Sequence, residues 1–108
     1  MDLVRRGDIW LASLDPTVGS EIQKTRPVLV VSPDDLNRHL RLATIVPLTS
    51  GSRPAPFRLP IDFAGRSGLL LLEQMRSVDK RRLVKHLGEV GDAVLDEALA
   101  ALRMFFAP

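Results

Sequence analysis

Two places in this 108-residue chain set polar side chains where they could act on a phosphate. The first is Arg26, which precedes Pro27 at the mouth of the apolar run Val28–Val31. Proline fixes its own φ and pushes the preceding residue into extended geometry, so the Arg26 guanidinium leaves the strand in a set direction. A guanidinium keeps its charge and presents a planar fork of donors that matches phosphate oxygens. The plain structural alternative is that Arg26 ends a strand and pairs with Glu21. The second place is Pro47-Leu48-Thr49-Ser50, where two hydroxyls stand at a strand exit with Arg53 close behind. They could donate to a phosphoryl oxygen, or cap a local turn. A third segment, Arg76 to Lys85, sets five basic residues against one acid. It reads either as a track for a nucleic-acid backbone or as a solvated face.

Other chemistries lack their residues. With no cysteine, disulfide scaffolds, thiolate zinc sites and cysteine nucleophiles are excluded. The two histidines, His39 and His86, stand in no metal-like spacing, and no metal or cofactor is expected. Neither GxxxxGK[ST] nor GxGxxG occurs, so the nucleotide phosphate cradles are missing. Residues 1–85 hold 14 of the 15 Lys and Arg against 9 of the 13 acids, whereas residues 86–108 hold Arg103 against Glu89, Asp92, Asp96 and Glu97. A basic body with an acidic end suits an anionic ligand. The opening MDLVRRGD meets charge at once, and apolar stretches such as Val28–Val31 and Leu69–Leu72 are short, none exceeding five residues. Neither a leader peptide nor a membrane span is expected, and a cytoplasmic location follows.

The elements that must position these residues are short. Asp8–Leu14, Val28–Val31, Leu42–Leu48, Phe57–Ile61, Leu69–Met75 and Leu83–Val90 read as strands, with Gly51–Pro56 a loop and Gly65 and Gly68 bracketing a turn. Pro47 cannot donate to a ladder and marks its strand as an edge or a strand end. Ser32-Pro33-Asp34-Asp35 predicts a helical turn over Leu36–Leu40, with Ser32 as its cap and Pro33 at the first helical position. Leu95, Leu99, Leu102 and Phe106 recur at three and four, predicting a helix over Ala93–Phe106 capped by Asp92. Trp10, in an alternating strand, reads as core or as packing against a second copy. Together these elements predict one mainly β domain: a small, strongly bent sheet or partial barrel with a helix packed against it.

Taken in order, RRGDIWLASLDPTVGSEIQKTRPVLVVS, IVPLTS, GLLLLEQMRSVD and LDEALAALRMF resemble the MazF/PemK/Kid family of toxin endoribonucleases. The resemblance covers nearly the whole chain. It implies an SH3-like barrel with a C-terminal helix, a homodimer whose groove takes single-stranded RNA, and inhibition by an acidic, amphipathic antitoxin segment. It implies metal-independent cleavage by 2′-hydroxyl attack, leaving 2′,3′-cyclic phosphate and 5′-hydroxyl ends, so that DNA is spared. Carried onto this chain, the catalytic positions are Arg26 in RPVLVV and Thr49 in PLTS, with Glu21 of GSE acting as a base or fixing the Arg26 fork. Substrate contacts are expected from Thr17, Gly19, Ser20, Lys24, Ser50, Arg53, Gln74 and Arg76. Two other readings compete: an RNA-binding module without turnover, and a gyrase poison on the same barrel. Gyrase-directed toxins act through a tryptophan ending the last helix, whereas the one Trp here is Trp10.

Overall fold

A computed structural model describes residues 3–14, 24–50 and 53–108. Strands β1 (Asp8–Ser13) and β2 (Thr25–Val30) lead to a short helix, α1 (Asp34–His39), and then to β3 (Leu42–Thr49), β4 (Arg58–Phe63) and β5 (Arg66–Leu71). A 3-10 turn over Leu72–Gln74 precedes β6 (Arg76–Asp79), and another over Lys80–Arg82 precedes β7 (Leu83–Glu89) and the terminal helix α2 (Asp92–Phe106). All pairings are antiparallel, in the order β4-β5-β3-β2-β1-β7. β6 lies against the first half of β3.

β3 is the spine of this sheet. Its residues 42–45 pair with β6, residues 48–49 pair with β5, and the opposite side pairs with β2. Pro47 is therefore neither on an edge strand nor at a strand end. It sits opposite Val28 in the interval where β3 exchanges β6 for β5. A residue without an N–H is tolerated in a central strand where the ladder on one side is interrupted.

Both faces of β2 and β3 are covered, which explains their unbroken apolar runs. One face puts Ile9, Leu29, Val31, Val46, Leu48, Ile61 and Leu70 with Ala98 and Leu102 of α2. The other gathers Trp10, Ala12, Val28, Val30, Ala43, Ile45 and Val78. Fully burying a Val, Leu or Ile side chain stabilises by about 1.5–3 kcal/mol, so these two strands carry much of the folding free energy. Trp10 belongs to this core, with its ring N–H donating to the buried Asp8 carboxylate at 3.2 Å. The same Asp8 oxygen accepts from Arg5 N at 2.9 Å, and the other lies 3.4 Å from His86 Nε2.

Two register shifts between β1 and β7 bend the sheet, as bulges do. The bend brings the two end strands of the order together: a Cβ on Gly88 of β7 would lie 3.2 Å from Cζ of Phe63 on β4. The small barrel thus closes through a ring packed on a glycine, with no ladder between β4 and β7.

Several predicted boundaries shift. α2 begins at Asp92 itself and is capped by Gly91, whose carbonyl accepts from Leu95 N at 3.0 Å. α1 starts after Pro33, and Ser32 is not its cap; the Ser32 hydroxyl bonds Asn37 Oδ1 at 2.5 Å and accepts from Thr44 N at 3.0 Å, tying α1 to β3. The strand expected over Leu69–Met75 ends at Leu71, and Gly68 lies inside β5 instead of bounding a turn. β6, hidden in the basic run, is a strand with Val78 as its buried anchor. Among the described residues no helix is long and apolar enough to cross a membrane.

Candidate nucleic-acid interface

Paired residues in adjacent strands share a face, and the register assigns those faces. Arg26 pairs with Ala12 of β1, and the small alanine leaves the guanidinium space on that side. On its other side the pairing of β2 with β3 ends at Val28 and Pro47, and Arg26 and Thr49 each stand two residues beyond that pair at neighbouring strand ends. Thr49 in turn pairs with Leu69 of β5. Alternation along each strand puts Arg26 on the face of Val28 and Thr49 on the face of Pro47, so the guanidinium and the hydroxyl leave the sheet on the same side. Arg26 is exposed and Thr49 half-buried.

Both line one cavity of about 270 Å³ at the open end of β2 and β3. Its apolar wall is Pro27, Leu48, Ile61, Phe63 and Leu87, and its polar rim is Arg26, Thr49, Ser50, Arg66 and Ser67. Among the described residues, the charged members of this lining are two arginines, with no carboxylate. Among the described residues the Arg26 guanidinium has no hydrogen-bond or ion-pair partner. Such a site offers cationic forks and hydroxyl donors to an anion while excluding water along one side, which strengthens each interaction.

The predicted residues divide. Arg26, Thr49 and Ser50 come together around the cavity. Lys24 stands two residues before Arg26 with φ of 67°, its carbonyl accepting from Leu14 N at 3.0 Å. Arg53 is not in the cavity lining; its carbonyl accepts from Arg58 Nη1 at 3.2 Å. Arg76 pairs with Ile45, in the row that contains Val30, four residues along β2 from Arg26. At roughly 3.3 Å per residue that separates the two rows by about 13 Å, on one face of the sheet. Gln74, in the 3-10 turn after β5, is half-buried and outside the lining. Thr17, Gly19, Ser20 and Glu21 lie outside the described residues.

Sequence reasoning missed Arg66, Ser67 and Gly68. β4 and β5 are joined by Ala64-Gly65, with φ of 54° and 76°. Positive φ at both residues marks the tight two-residue hairpin whose twist matches its strands, a turn more often signalled by Asn-Gly. Gly68 is required by contact and not by backbone angle: a Cβ there would lie 3.0 Å from the Thr49 carbonyl oxygen. Elsewhere, Asp79 accepts from Arg81 N at 2.9 Å and from its guanidinium at 3.1 Å, which holds the Asp79 carboxyl below the usual carboxylate range. Among the described residues no group of three or more His, Asp or Glu converges.

Residues 5–106 match the family described as PemK-like, MazF-like toxin of type II toxin-antitoxin system. Over 105 residues, 92% of this chain and 79% of the relative, the sequence is 44% identical to Endoribonuclease PemK of Escherichia coli. The crystal structure of MazF (Form-I) from Deinococcus radiodurans superposes with a TM-score of 0.86 at 30% identity, covering 97% of each chain. MazE-MazF (Form-II) from the same organism gives a TM-score of 0.80 at 27% identity, covering 99% of this chain and 98% of that one.

Proposed function

Because the chain belongs to the PemK-like, MazF-like toxin family of type II toxin-antitoxin systems, we propose that it is an endoribonuclease that cuts single-stranded RNA without metal. What supports this reading is that Arg26 and Thr49, at the ends of neighbouring strands, both line one cavity whose charged lining among the described residues is two arginines. The ribose 2′-hydroxyl attacks the adjacent phosphorus, and its proton is lost to a base. The bond to the 5′-oxygen breaks, and that oxygen gains a proton. The products carry a 2′,3′-cyclic phosphate and a 5′-hydroxyl. Charge accumulates on the phosphorane oxygens. Arg26 is the group fitted to neutralise it, as a fixed cation and not as a proton carrier. Thr49 donates a hydrogen bond to a non-bridging oxygen, and Ser50 holds the same phosphate. Glu21 serves as the base or orients the Arg26 fork. Lys24, with Thr17, Gly19 and Ser20, meets the strand on one side, and Arg53, Gln74 and Arg76 extend the contact away from the cut.

The toxin acts in the cytoplasm as a homodimer, whose groove is occupied by an acidic segment of its antitoxin until that partner is removed. Family membership and the likeness to MazE-MazF support the antitoxin. A short chain with little room for both a groove and a complete core supports the second copy.

The test is direct. Purified protein in chelator should cut single-stranded RNA into fragments ending in cyclic phosphate and leave DNA of the same sequence whole. One preorganised donor contributes about 10²–10³ in rate, so Arg26→Ala and Thr49→Ala should each slow cleavage by about that factor, with Arg26→Ala the slower. Cleavage at the wild-type rate by both variants would refute the assignment, and tight complexes with uncut RNA would favour the module without turnover.

A further inference from the structure

We propose that Arg58 is a positioning residue for recognition of the RNA: tied to Glu73, its guanidinium fixes the segment that carries Arg53 and so sets which bases beside the cut are accepted. The proposal rests on the ribonuclease reading above. Arg53 follows Thr49 by four residues. An extended chain spans at most about 3.6 Å per residue, so Arg53 stays within roughly 14 Å of Thr49 whatever path the chain takes. It is exposed. A long cation on a loosely held segment would meet many sequences equally well, so selectivity requires that its backbone be fixed.

The sequence supplies part of that stiffness. Pro54 and Pro56 lock their own φ and push Arg53 and Ala55 toward extended geometry, which leaves residues 53–56 few conformations. Arg58, the first residue of β4, supplies the rest. Its backbone N–H donates to the Ala55 carbonyl at 2.9 Å, and its Nη1 donates to the Arg53 carbonyl at 3.2 Å. Nε and Nη2 of the same guanidinium donate to Glu73 Oε2 at 3.0 and 2.7 Å. One planar fork thus bridges two segments. Glu73 is a firm anchor, because Leu72 beside it is buried and the Leu72 N–H donates to the Phe57 carbonyl at 3.2 Å. The guanidinium also lies 5.6 Å from the centre of the Phe57 ring, within cation–π range. Only 24% of the Arg58 side chain and 28% of the Glu73 side chain are exposed, so salt screens this pair less than an ordinary surface bridge. Lysine could not replace the arrangement, since an ammonium is a point charge without the fork that reaches both acceptors. Neither Arg58 nor Glu73 lines the cavity at Arg26 and Thr49, so their effect on RNA passes through Arg53.

The experiment compares wild type, Arg58→Lys, Glu73→Ala, Arg53→Ala and the double variant Arg53→Ala/Arg58→Lys. Each cuts a randomised single-stranded RNA in chelator, and the 5′-hydroxyl ends of the products are sequenced. KM and kcat are then measured on the sequence wild type prefers, with Tm beside them. Arg58→Lys keeps the net charge, yet it should flatten the base preference beside the cut and raise KM severalfold, with kcat within about twofold of wild type. Glu73→Ala makes the protein more positive, which alone would tighten its hold on RNA, and it should nonetheless lose the same preference. The double variant should match Arg53→Ala, because a residue that acts through Arg53 has nothing left to position. Unchanged preference and KM in Arg58→Lys overturn the proposal and leave the nuclease reading standing. Additive losses in the double variant overturn it too, as does a fall in Tm or in kcat with preference and KM intact. If wild type cuts no RNA, the nuclease reading falls, and binding of a randomised 2′-O-methyl RNA 12-mer decides the rest. Severalfold weaker binding by Arg58→Lys then keeps the clamp on the strand, and equal binding removes it.

Discussion

Gly68→Ala tests whether the position of Thr49 governs the rate. The added methyl would stand 3.0 Å from the Thr49 carbonyl oxygen and 3.6 Å from its carbonyl carbon. An ordinary contact begins near 3.4 Å, so about 0.4 Å must be found, and the atom in the way is backbone. Since Gly68 needs no positive φ, alanine meets no dihedral strain, and the strand end carrying Thr49 must yield. A misplacement of 1 Å in a reacting group is worth about 10²-fold in rate; scaled in proportion, 0.4 Å is worth about sixfold. Overpacking destabilises by roughly 1–3 kcal/mol, partly offset by about 0.4–1 kcal/mol from stiffening the unfolded chain. The net is a fall in Tm of a few degrees. Initial rates on saturating RNA, with Tm from circular dichroism, read both effects. Gly7→Ala is the control. Its φ of 96° strains alanine, its Cβ would lie 3.3 Å from Leu95 Cδ2, and the site is remote from the cavity. It should lower Tm and leave kcat unchanged. If Gly68→Ala lowers Tm yet keeps kcat within twofold of wild type, the link from Thr49 position to rate is wrong. If neither changes, the contact itself is wrong.

Two further substitutions probe the scaffold. Asp8→Ala removes the buried acceptor of Arg5 N and Trp10 Nε1, and stranding those donors should destabilise by about 1–3 kcal/mol in urea unfolding, with Asp8→Asn losing less. Arg81→Ala should let the Asp79 carboxyl rise toward 3.8, which an NMR pH titration would follow directly. Because the folded-state value is depressed, the stabilisation by Asp79 is complete above pH 3.8 and is lost as pH falls through the folded value. The variant should therefore differ from wild type above that window and match it below.

Elements with a clear period were legible: the helix α2, although of its expected stripe Leu99 and Leu102 pack on the sheet with Val94 and Ala98 while Phe106 is exposed, and the β-branched run of β2. β6 was not, because a four-residue strand with one buried side chain carries no periodic signal, and its arginine and aspartate read as surface. Pro47 misled for a tertiary reason, since its tolerance depends on where β3 changes partners. That Arg26 and Thr49 stand at strand ends was legible from Pro27 and from the apolar runs beside each. The place of Arg66 in the cavity lining was not, because Ala64-Gly65 gave no usual hairpin cue. Arg53, Gln74 and Arg76 had the right chemistry, but only the strand register reveals how far they sit from the cavity.

The closure between Phe63 and Gly88 makes the barrel a split cuff and not a sealed tube. Parting that seam breaks van der Waals contacts but no backbone hydrogen bond, so it is far softer than any other junction in the sheet. Phe63 and Leu87 line the cavity from the two lips of the split. The volume open to a nucleotide is therefore set at the most compliant point of an otherwise stiff shell, while Arg26 and Thr49 ride on its stiffest strands.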